Sequence, residues 1–163
     1  MRPPGSGGAL KEREPVIMTT PGMKGTVAMA LPERKKLTLE AARRVAAAAE
    51  AEALRHGFTM CIAIVDDGGH LLCFERMDET QLGSIEAAIA KARSALLFKR
   101  PTKALEDRLT GGWTPALGLP GVVPVEGGLP LVVEEEIVGA IGISGGSAQQ
   151  DGRVAAAGLS VLG

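Results

Sequence analysis

Residues 58–74 read FTMCIAIVDDGGHLLCF, two apolar runs separated by Asp66-Asp67-Gly68-Gly69. Phe58–Val65 and Leu71–Phe74 are too short for helices, and the Asp/Gly cluster between them is turn chemistry. A hairpin closed by so short a turn pairs its arms antiparallel. The expected fold is therefore α+β, an antiparallel sheet covered by helices, and not a parallel doubly wound sheet. A two-residue loop makes paired residue numbers sum to an odd value. Cys61 then cannot face Cys73 and is expected opposite Phe74, which makes both thiols small buried hydrophobes.

Upstream, Thr38 is a good N-cap for a helix over 39–56, with a seam of Leu39, Ala42, Ala46, Ala49 and Ala53, and Gly57 stops it. Residues 1–36 read as a leader: five prolines, a Gly cluster and no apolar periodicity. No basic start with a long apolar run is present, so export is not expected and a cytoplasmic location is. Downstream, a second helix capped by Ser84 ends before Pro101, with Ile85, Ala88, Ile89, Ala92 and Leu96 as its core stripe. A short helix follows over 103–109, capped by Thr102. Three strands are then expected at Val122–Val125, Leu131–Glu134 and Ile137–Ser144. A last helix opens with the capping box Ser147-x-x-Gln150. The order is α-β-β-α-α-β-β-β-α, about five strands in one domain over 37–163.

Composition narrows the function. Of the 163 residues 45% are hydrophobic and 23% charged, which excludes global disorder. The net charge of −1 argues against a nucleic-acid partner, and no apolar run is long enough to span a membrane. Aromatic residues are only 2%, too few for a stacking platform. A core of Ala, Val and Gly buries little area per residue, which makes oligomerisation a natural supplement. Two cysteines and two histidines in no CxxC or HxxxH spacing give no metal site.

Three clusters could carry chemistry. Ser84, Lys91, Ser94 and Phe98 share one flank of the second helix, a cation and hydroxyls beside an apolar stripe. Ser144-Gly145-Gly146 opens a capped helix whose free amides suit an anion, with Gln150 alongside. Gly127-Gly128 precedes Pro130 between strands. Arg76 and Asp78 flank Met77, and a structural ion pair between them is the expectation. Asp66, Asp78 and Asp151 are the candidates for moving protons if the chain is an enzyme. Asp66 and Asp67 otherwise read as turn formers.

These stretches together resemble the GlcG/HbpS family, which includes the C-terminal domain of PduO. The resemblance rests on Ile64-Val65-Asp66, Leu71-Leu72-x-Phe74-x-Arg76-Met77-Asp78, Ala90-Lys91-Ala92, Phe98-x-Arg100-Pro101-Thr102, Gly127-Gly128-x-Pro130, Val138-Gly139-Ala140-Ile141-Gly142-x-Ser144-Gly145-Gly146 and Gln150-Asp151. It covers nearly all of Leu37 to the C-terminus and implies a profilin-like unit forming bacterial homo-oligomers that bind or degrade haem, some encoded in catabolic operons. The expected function is binding of haem or a small anion at a subunit interface. The ligand-binding set is then Arg76, Lys91, Ser94, Gly127, Gly128, Ser144, Gly145, Gly146 and Gln150. The alternatives are an enzyme acting on a small carboxylic acid and a non-catalytic accessory subunit. Family haem ligands are often a histidine near the first helix, and here that helix carries none before His56.

Overall fold

The computed structural model describes residues 31–162, and from Arg34 onward these form one compact unit. Most of the expected leader lies outside the described residues. The elements are α1 (Leu39–Arg55), β1 (Cys61–Asp66), β2 (Leu71–Arg76), α2 (Gly83–Leu97), α3 (Thr102–Thr110), a 3-10 turn (Thr114–Gly118), β3 (Gly128–Val133), β4 (Glu136–Ser144) and α4 (Ala148–Leu159). The sheet is antiparallel, in the order β2-β1-β4-β3. The α+β reading holds, with four strands instead of about five.

Local signals place most of these elements. Thr38 caps α1 by accepting the Ala41 N–H at 3.1 Å, and Gly57 follows its end at a φ of 65°. The capping box of Ser147 and Gln150 opens α4. The hairpin turn is held by Asp66, whose Oδ1 accepts the amides of Gly68 and His70 at 3.0 and 2.9 Å.

Four local expectations are corrected. Val122–Val125 is a loop: Val123 N–H donates to Ser94 Oγ at 3.0 Å and Glu126 N–H to Glu106 Oε2 at 2.6 Å, so these amides serve side chains and not a ladder. Cys61 lies opposite Arg76, and Cys73 opposite Ile64. The sum is odd from Cys61 to Ile64, but a register shift before Val65 pairs that residue with Leu71, and β2 runs two residues further than expected. Ser84 is not a cap; α2 starts at Gly83 and Ser84 is buried, its hydroxyl without a partner among the described residues. Thr102 is likewise inside α3, with its hydroxyl turned to the backbone of Gly128.

Side chains of β1 alternate between two apolar layers. Ile62 and Ile64 join α1 and α4 on one face, with Ile141, Ile143 and Val154. Cys61, Ala63 and Val65 join α2 on the other, with Ala88, Ala92 and Ala95. The second layer is thin because its residues are small. A Cβ at Gly142 would overlap the Ala88 carbonyl and lie 2.5 Å from the Ala92 amide, so glycine lets α2 lie directly on β4.

Candidate functional site

That close approach rotates α2 relative to its apolar stripe. The buried positions are Ser84, Ala88, Lys91, Ala92, Ser94, Ala95 and Leu96, while Ile85 and Ile89 are half-buried beside Phe74. The flank carrying lysine and hydroxyls therefore faces inward. Ser94 is fully buried and holds the 122–125 loop.

Lys91 is 3% exposed. Its ammonium donates to Asp151 Oδ2 on α4 at 2.7 Å and to the Ile143 carbonyl at 3.1 Å. The other oxygen of Asp151 accepts the Gly146 N–H at 3.0 Å, and the Gly145 amide also donates to this carboxylate. Lys91 thus crosses from the α2 side, past the start of β3, to bind α4 on the opposite face. Gly127 and Gly128 leave it room. A Cβ at Gly127 would lie 2.7 Å from the Ile143 carbonyl, 2.8 Å from Asp151 Cβ and 3.0 Å from Lys91 Nζ; one at Gly128 would overlap the Lys91 carbonyl. Thr102 holds the same strand end, accepting the Gly128 N–H at 2.9 Å.

Gly127, Gly128, Gly145 and Gly146 thus surround one buried ion pair, Lys91–Asp151. Gln150 sits beside it in the capping box, accepting the Ser147 N–H at 2.8 Å, and Ser144 is buried at the end of β4. Burial holds the Asp151 carboxyl above its ordinary value, outweighing the Lys91 contact and the two amides that favour ionisation. Chemically this is an anion site already filled by the chain's own carboxylate.

The other candidates lie elsewhere. Arg76 is exposed at the end of the edge strand β2. Asp78 is exposed beyond it, and no ion pair joins the two among the described residues, because β2 ends before Asp78 could share its face. Asp66 serves the hairpin turn at the far end of β1 from Ser144. The three proton-transfer candidates are not brought together.

A cleft of about 310 Å³ opens at the start of α1, lined by Lys35, Lys36, Leu37, Thr38, Ala41, Val133, Val138 and Leu162. Sequence reading missed it because its walls come from three distant segments, and two of its residues fall in the expected leader. No imidazole, thiol or thioether lines it. His56 bonds Glu52 at 3.1 Å and stacks on Phe58, and His70 is exposed on the hairpin. Cys61 is buried under α2, where burial pushes its thiol up. The described residues of one chain therefore do not combine this cavity with an iron donor, so they do not fit an enclosed, protein-ligated haem.

Comparison with known proteins gives concordant matches. A family model described as haem degrading protein HbpS-like matches residues 37–160. Protein GlcG of Escherichia coli (strain K12) is 39% identical over 108 residues, 66% of this chain and 81% of that protein. A double mutant of Streptomyces reticuli HbpS superposes with a TM-score of 0.76 at 33% identity, over 88% of this chain and 99% of that one. A haem complex of PduOC superposes with a TM-score of 0.73 at 30% identity, over 78% of this chain and 96% of that one.

Proposed function

Because the chain belongs to the HbpS-like family of haem degrading proteins, we propose that it binds haem, or a ligand of similar planar and anionic character, at a contact between copies of itself. The single observation carrying this reading is its likeness to PduOC, whose structure is a haem complex. A shared surface is chosen because the cleft at the start of α1, formed by described residues, has no imidazole, thiol or thioether in its lining.

Arg76 is the residue assigned to the ligand's carboxylates. It is exposed at the end of β2, on the same face as half-buried Phe74 two residues before it, a cation next to apolar surface. Lys91 already has its counter-ion in Asp151, so its role is positioning. With Ser94, Gly127, Gly128, Ser144, Gly145, Gly146 and Gln150 it fixes the helices against the sheet that presents β2.

Haemin titration of the full chain, read at the Soret band, tests this. Saturation at a fixed ratio of haem to chain is expected. Arg76→Ala removes a charge-assisted contact worth about 1.5–3 kcal/mol, so about a tenfold or greater loss of affinity should follow. A Soret band that never saturates, or an Arg76→Ala variant that binds like the wild type, contradicts the reading.

A further inference from the structure

We propose that the cleft at the start of α1 is a separate site for a small amphipathic carboxylate, an aliphatic or aryl acid, with Lys36 as its counter-charge. The volume of about 310 Å³ is at the small end of ligand cavities. Leu37, Ala41, Val133, Val138 and Leu162 give it apolar walls, which suit a short hydrocarbon tail or a single ring.

The charge at the mouth chooses the head group. Lys35 is engaged by Glu134 through its ammonium and by Glu136 through its backbone amide at 3.2 Å. Lys36 makes no ion pair among the described residues, although it lines the same cleft. Thr38 also lines it. Its hydroxyl accepts the Ala41 N–H and so keeps its own proton to donate. The positive end of the 17-residue α1 adds a field of the same sign. An amine on the same tail would meet the Lys36 ammonium and the helix end with the wrong charge. The site goes beyond the haem reading and does not rest on it, since no iron donor lines the cleft.

Isothermal titration of the full chain with octanoate and with octylamine tests the proposal, using Lys36→Met and Ala41→Phe variants. Octanoate should saturate at one per chain, and octylamine should bind at least about tenfold more weakly. Lys36→Met, a change at an exposed position, should weaken octanoate about tenfold by the same scale. Ala41→Phe should abolish binding by filling the cleft. No saturation, equal binding of acid and amine, or an unaffected Lys36→Met variant overturns the proposal. So does octanoate that changes the mass in light scattering, which would mark the cleft as a contact between copies. Haemin binding is read separately at the Soret band. A chain that takes haemin but not octanoate overturns this site alone, and the converse overturns the haem reading alone.

Discussion

Lys91 and Asp151 form a buried ion pair, which is costly to desolvate and costlier still to break by removing one partner. Lys91→Met leaves Asp151 buried with only two amide donors, and urea unfolding should show a loss of about 3–5 kcal/mol. The double variant Lys91→Met/Asp151→Leu should recover most of that loss; if it adds to it, the pair is not the coupled unit described. The pH dependence has a definite sign. Asp151 holds its proton more tightly folded than unfolded, because burial raises its carboxyl. Its contribution to stability therefore falls as pH rises from the unfolded value of about 3.9 through the raised folded one. Relative to the wild type, the double variant should gain stability across that window, measured by thermal melts from acid to neutral pH. The pair itself was half legible. Lys91 and Asp151 each stood out in the sequence, but nothing in a spacing of sixty residues announces that they touch. The Gly127-Gly128 step beside them was the available clue, a place where side chains are forbidden by something large nearby.

Among the elements, α1, the first hairpin and α4 were readable because caps and turn residues act within a few positions of themselves. The rotation of α2 was not. Its apolar periodicity named Ile85 and Ile89 as core, whereas contact with Gly142 favours the face of small residues. The 122–125 segment failed for a related reason, the Val123 amide being claimed by Ser94 and that of Glu126, just beyond it, by Glu106. The β3–β4 hairpin offers a direct test of local strain. Glu134 and Glu135 hold φ of 46° and 69° in a two-residue turn that favours Asn-Gly. Glu135→Gly should raise stability by about 0.5–1 kcal/mol in chemical unfolding, since a side chain in this region is strained. A loss of stability would mean that Glu135 makes a contact worth more than the strain.

At the scale of the molecule, scattered motifs that are weak one by one, from Ala90-Lys91-Ala92 to Gln150-Asp151, meet where α2, β3, β4 and α4 converge. That convergence explains why a resemblance built from short pieces identified the fold while leaving the ligand open. The pieces that carry it lie at packing positions, where Gly127, Gly128 and Gly142 admit no side chain. The compact unit begins at Arg34, and Lys35 and Lys36 line the cleft. Deleting residues 1–33 should therefore shift the melting temperature by less than about 5 °C, the scale of one kilocalorie, whereas deleting through residue 36 should cost more. The central claim, haem held between copies, is tested most directly by light scattering on the haemin-loaded chain during size exclusion. Soret absorbance should elute with a species at two or more times 16.8 kDa. Haem carried by a single 16.8 kDa chain, or an assembly that elutes without haem, would contradict it.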